Sequence, residues 1–302
     1  MNNNIDKLSL GTVQFGLDYG INNFNGKPTR EKSLALLEYA WQNGVRTFDT
    51  AYAYGDAEEI LGEFIKTRNL GTEIKVITKL KPNILSERPG TTAEVIEGNL
   101  RESLKRLGRD YVDGYLLHTP GYIHEPKVVA ALKKIKKQGL AKNIGVSIYE
   151  LDDAIYVAGL PEIDYIQIPY SIFDQRLDNK VFWNLTKKNK ITVFARTAFL
   201  QGLLFMPQEK IPKHLGKVKF YLRKLDKIIR KYYLTRQQAA LLFSYYNKNI
   251  KYVVFGVDNI NQLTEDLQIV NYSPDCGECI HDLKNEFRDI EKSIIFPSLW
   301  KK

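Results

Sequence analysis

The chain alternates between two hydrophobic rhythms. Short runs rich in β-branched and aromatic residues are followed, again and again, by stretches whose apolar positions recur every three or four residues. "KLSLGTV" (7–13) reads as a strand. "TREKSLALLEYAWQNG" (29–44) reads as a helix, with Thr29 at its N-cap and Gly44 as its stop. "TFDT" (47–50) is the next strand and "AEEILGEFIKT" (57–67) the next helix. "KVITKL" (75–80) precedes a helix over 91–108 whose Ile96, Leu100, Leu104 and Leu107 share one face. "VDGYLLH" (112–118) is followed by a helix over 125–139, and "KNIGVS" (142–147) by a short one near 151–159. "YIQIPY" (165–170) leads to a helix near 178–189, and "ITVFART" (191–197) to a long loop and two helices, near 217–232 and 235–247. "YVVFGV" (252–257) and "NINQLTEDLQIV" (259–270) form the last pair, leaving a C-terminal helix near 280–292.

Strict alternation of strand and helix implies a parallel sheet covered by helices. Eight units in 302 residues fit a closed (β/α)8 barrel, the TIM barrel, as one domain over 1–302 with an additional C-terminal helix. An open doubly wound sheet is the alternative. It usually carries G-x-G-x-x-G after its first strand, where this chain has "SLGTVQFG". No Pro/Gly/Ser-rich linker divides the chain.

Composition changes this picture little. Hydrophobic residues make up 44% and charged ones 26%, enough for a large core and a solvated surface. The net charge of +9 is spread over helix faces, as in "KKIKKQG" (133–139), where the lysines lie off the Val128, Leu132, Ile135 stripe. That pattern predicts a solvated face rather than nucleic-acid binding. No apolar run approaches the ~20 residues that span a membrane, and the N-terminus lacks a signal-peptide core. Cys276 and Cys279 form a lone C-x-x-C without an evident set of four ligands. Free thiols, no metal site and a cytoplasmic location are expected.

In a barrel, chemistry gathers at the C-terminal ends of the strands. There the second strand ends with Asp49 and delivers Tyr54, the third ends with Lys79, and the fourth with His118. Each alone has a structural explanation: a paired core acid, a packing tyrosine, a solvated lysine, a structural histidine. Together, in one register, they predict a site.

These residues carry a resemblance. "GTVQFG", "FDTAYAYGDAEEILGEFI", "VITKL", "LLH", "GVS", "IQIPYS" and "GVDNINQLTEDL" are similar, in order and over nearly the whole chain, to the aldo-keto reductase superfamily. The resemblance implies reduction of an aldehyde or ketone, or the reverse alcohol oxidation, with Asp49, Tyr54, Lys79 and His118 as the catalytic tetrad. Tyr54 would give a proton to the carbonyl oxygen. Its free pKa near ~10 is high for that exchange. A lysine ammonium about 4 Å away offers about 4 kcal/mol at an effective dielectric of ~20, enough to lower it. Asp49 would keep Lys79 charged and in place, and His118 would orient the carbonyl or pass a proton.

The resemblance also implies a nicotinamide dinucleotide, NADP(H) ahead of NAD(H). Ser147 and Gln167 match positions holding its carboxamide, and Thr12 and Asp49 match contacts near its ribose. Gly256 to Asp266, with Gln262 and Glu265, match the adenosine phosphate segment. Departures are visible. Ile148 stands where the family often has Asn. Arg196 stands where a tyrosine often stacks on the nicotinamide; it is read as stacking in its place, binding an acidic substrate, or forming a barrel salt bridge. Asp258 and Asp266 bring acid to the adenosine end, and 256–267 hold no basic residue, which favours a 2′-hydroxyl. Lys213, Lys217 or Lys219 would have to reach a 2′-phosphate. Gln14, Tyr19, Tyr52 and Phe199 are the expected pocket walls for a small carbonyl substrate, sugar-like or anionic, and 199–216 a possible lid. The rival function is a cofactor-binding regulatory subunit on the same fold, since some relatives serve a membrane channel. A hydrolase or metal enzyme finds no clustered ligand set at the strand ends.

Overall fold

The computed structural model describes residues 4–271 and 276–300. Eight strands run β1 Leu8–Gly11, β2 Thr47–Asp49, β3 Lys75–Leu80, β4 Gly114–Leu117, β5 Ile144–Ser147, β6 Tyr165–Pro169, β7 Thr192–Arg196 and β8 Tyr252–Phe255. Each pairs in parallel with its sequence neighbour, and β1 closes on β8 through Ser9 opposite Val254. Strands buried on both faces need continuous apolar runs, and these have them.

The helices follow the expected signals. Helix α1 (Arg30–Gln42) starts where the Thr29 side chain accepts from the Lys32 N–H. Helix α2 spans Ala57–Arg68. Helix α3 (Thr92–Leu107) opens with a capping box between Thr91 and Glu94 and buries Ile96, Leu100, Leu104 and Leu107. The helix after β8, Ile260–Asn271, lies one residue from its expected span. The C-terminal helix is displaced: it runs Gly277–Glu286 rather than 280–292. Leu283 and Phe287 are fully buried, and the chain turns out of the helix at Phe287, ahead of a separate short turn at Lys292–Ile295.

Inside the barrel a small core of Ile77, Leu116, Phe194 and Tyr252 fills the axis. Phe194 stacks on Tyr252 with centroids 4.7 Å apart, and Tyr165 leans on Phe194 at 5.1 Å. This plug leaves the C-terminal mouth as the place where polar strand ends converge. Among the described residues no helix is long and apolar enough to cross a membrane.

Candidate active site

Asp49 ends β2 and is 3% exposed; Lys79 lies in β3 and is 1% exposed. Lys79 Nζ donates to Asp49 Oδ1 at 2.6 Å and to the Thr50 carbonyl at 2.9 Å. The second Asp49 oxygen accepts from Gln167 Nε2 at 2.8 Å, and Thr12 Oγ1 donates to the Asp49 carbonyl at 3.2 Å. A buried ion pair persists when hydrogen bonds satisfy its remaining atoms, and these do.

Tyr54 is half-buried above this pair, with Lys79 Nζ 5.1 Å from its ring centroid. Its backbone is fixed by close approach. A Cβ on Gly16 would meet the Tyr54 carbonyl oxygen at 1.7 Å, and one on Gly55, where φ is +57°, would meet the Gly16 oxygen at 2.4 Å. Only glycine permits this contact from either side. His118 follows β4 and sets its ring edge-on to Tyr54, centroids 5.5 Å apart. Its Nδ1 is buried without a partner.

The electrostatics depart from expectation. Burial, then the Asp49 charge, pushes the Tyr54 phenol well above its ordinary value, and Arg196 pulls it partly back. Lys79, engaged by Asp49, does not produce the expected lowering. Burial, with the charges of Lys79 and Arg196, takes His118 down to about 3. His118 is therefore a neutral imidazole at working pH, which suits orienting a carbonyl and not carrying a proton as imidazolium.

Arg196 ends β7. Its Nη2 donates to the Ile148 carbonyl at 3.1 Å, and its guanidinium lies 4.4 Å from the Tyr149 ring centroid. Among the described residues it joins no salt bridge, so the barrel salt-bridge explanation fails. Tyr149 was not singled out in the sequence; its place directly beyond the Ser147 strand end was the available signal. Tyr19 joins this group: burial and Tyr54 raise it to about 12, and Arg196 and Gln201 oppose the rise.

Other predicted residues sit elsewhere. Tyr52 is not a pocket wall. Its hydroxyl donates to Glu102 Oε2 at 2.8 Å and its ring carries Arg106 at 4.0 Å, which turns it toward α3. Gln14 packs on Gly256, at the β8 end, with Oε1 unpartnered. Phe199 leans on Phe205 in the loop after β7. Ser147 is buried beside Gln167 in register.

At the adenosine end, Gln262 Oε1 accepts from the Asp258 N–H at 2.7 Å, while Asp258 Oδ1 is buried without a partner. Asp266 is 1% exposed and held by Gln237 Nε2 at 2.9 Å, and burial raises it to about 7. Glu265 lines a cleft of about 670 Å³ with Phe205, Arg236, Gln237 and Gln268. Lys217 pairs with Glu291 at 3.4 Å. Cys276 and Cys279 are buried and not joined in a disulfide. No cluster of metal-ligating side chains occurs among the described residues.

Comparison with known proteins identifies the family and the fold. An NADH-specific methylglyoxal reductase of Escherichia coli (strain K12) is 30% identical over 220 residues, 66% of this chain and 65% of that protein's length. The chain thus spans just under two thirds of that relative. A putative voltage-gated potassium channel subunit beta of Schizosaccharomyces pombe is 26% identical, covering 88% of this chain and 86% of that one. A solved aldo-keto reductase from Bacillus halodurans, in its holo form, superposes with a TM-score of 0.74 at 22% identity, covering 94% and 95% of the two chains, and shares the fold. The model of the Aldo/keto reductase family, whose members use nicotinamide cofactors, matches residues 7–276, and the chain belongs to that family.

Proposed function

We propose that this protein reduces a small aldehyde or ketone, with Tyr54 as the proton donor. The observation that carries the reading is the buried Lys79–Asp49 pair under the Tyr54 ring, beside a neutral His118. A bound nicotinamide would supply hydride to the carbonyl carbon. Tyr54, kept neutral by burial and Asp49, carries its proton throughout the working pH range and gives it to the carbonyl oxygen. Lys79 offsets the Asp49 charge that would otherwise oppose the phenolate left behind. His118 orients the carbonyl oxygen.

The residues present fit a dinucleotide. Ser147 and Gln167 would hold its carboxamide, Thr12 and Asp49 its ribose, and Gly256 to Asp266 its adenosine end. The unpartnered Asp258 oxygen accepts hydrogen bonds. A ribose 2′-hydroxyl donates to such a group, whereas a 2′-phosphate is repelled by it. The family resemblance favours NADP(H); this carboxylate, the lack of Lys or Arg over 256–267 and the engagement of Lys217 by Glu291 favour NAD(H), which we take as the cofactor. The relative named as NADH-specific points the same way.

Titration of the purified protein's fluorescence with NADH and NADPH tests this. NADH should bind about tenfold more tightly. Equal or tighter NADPH binding would return the adenosine end to the lysines, and no binding of either would end the reductase reading. The channel-subunit relative keeps one rival in view, a dinucleotide-holding protein with little turnover. Repeated turnovers with excess NADH and aldehyde would exclude it.

A further inference from the structure

Two cations reach the mouth, and they are treated differently. Lys79 is matched by Asp49 and a backbone carbonyl. Arg196 is held by a carbonyl and an aromatic face, neither of which cancels its charge. The nearby acids are taken: Asp49 by Lys79 and Gln167, and Asp174 by Arg176 through two bonds of 2.8 Å. Arg196 Nε is buried with no partner at all.

An uncompensated guanidinium in a half-buried position, its Nε buried, is costly unless a ligand brings the opposite charge. Its planar fork matches a carboxylate through two parallel hydrogen bonds. The arginine is also firmly aimed. Thr197, next in the chain, has φ +62°, a strained value for a β-branched residue, and its hydroxyl bonds the Arg196 carbonyl at 2.6 Å. Arg196 ends β7 at the same mouth where Asp49, Lys79 and His118 stand at their strand ends, and its charge reaches Tyr54, His118, Tyr19 and Asp174.

We propose that Arg196 anchors the substrate by a carboxylate carried a few bonds from its carbonyl, so that oxo acids are preferred over neutral aldehydes. The inference rests on the reductase reading above. A dinucleotide phosphate offers the same oxyanion chemistry, but the charge of Arg196 falls on Tyr54 and His118, the proposed proton donor and its histidine, where the substrate's own anion arrives.

The test compares 4-oxobutanoate with its methyl ester, which share a carbon skeleton, using NADH and the full-length protein. The acid should exceed the ester in kcat/KM by about ten- to a hundredfold, the range of a hydrogen bond to a charged group. In Arg196→Met the ratio should fall to near one, through the KM of the acid. Arg196→Lys, which keeps the charge and guards against misfolding of the first variant, should retain part of the preference. Equal rates for acid and ester in the unaltered protein would overturn the proposal while leaving the reductase reading intact. Turnover of neither would defeat that earlier reading instead. A loss in Arg196→Met confined to the Kd for NADH, measured by calorimetry, would assign the arginine to the cofactor's phosphate and also overturn the proposal.

Discussion

At the floor of the barrel, Asp113 accepts from the Val76 N–H at 3.0 Å, from Arg109 at 3.4 Å and from Lys142 at 3.2 Å. Lys75 meets the Tyr252 hydroxyl and Asn143 the Tyr165 hydroxyl, each at 2.9 Å. At the mouth, His118 Nδ1, Arg196 Nε, Gln14 Oε1 and Asp258 Oδ1 are buried without partners. The same eight strands build both ends. Asp113, Lys75 and Asn143 at the floor are satisfied by the protein and hold strands together, as the Asp49–Lys79 pair is at the mouth. The four atoms named at the mouth are unsatisfied, at a cost in stability that a ligand can offset. Structural and chemical roles are thus separated along one axis, as the barrel architecture allows.

The sharpest way to break this contrast is at the mouth. Tyr54→Phe should lower kcat by about 10²–10⁴-fold, the usual reach of a general acid, while the urea midpoint stays put. A stability loss with retained turnover would reverse the role. At the floor, Asp113→Ala should cost about 3 kcal/mol in urea unfolding, because the Val76 N–H and the buried Arg109 lose their acceptor. Turnover per folded molecule should hold; a matching fall in kcat would show that the ends are coupled.

The smallest effect is electrostatic. His118 has its folded pKa depressed to about 3 from an ordinary 6.5. Below pH ~6.5 the unfolded chain takes up a proton that the folded one refuses, so stability falls as pH drops from there toward about 3. His118→Gln should flatten that part of the curve, measured as unfolding midpoints from pH 7 to pH 4. An identical slope in both proteins would mean that His118 titrates normally and is solvated.

Most of the fold was readable because barrel strands and their covering helices obey local rules. Thr91 and Glu94 cap a helix within four residues of chain, and the apolar runs of β3 and β5 announce burial on both faces. Asp49, Tyr54, Lys79 and His118 were legible as polar residues that a buried strand end would otherwise avoid. What was hidden depends on distant partners. Tyr52 stands two residues before Tyr54, yet Glu102 and Arg106 draw it outward. The partner of Asp266, Gln237, comes from another helix, and the Tyr149 face under Arg196 depends on how two loops meet. The displaced C-terminal helix belongs to the same class, since Gln175 bonds the Leu283 carbonyl from 108 positions away.

The contact between Gly16 and the Tyr54–Gly55 backbone has a consequence for how members of this family can diverge. Tyr54, the proposed proton donor, is indexed to the first loop and the second strand, not to the segments proposed to grip a substrate. Residues such as Phe199 and Gln201 are therefore free to change over evolutionary time without displacing the phenol. An engineer seeking a new substrate can rebuild that rim and leave two glycines untouched. Replacing either glycine would instead shift the donor for every substrate at once, making this contact a fixed datum from which new specificities are measured.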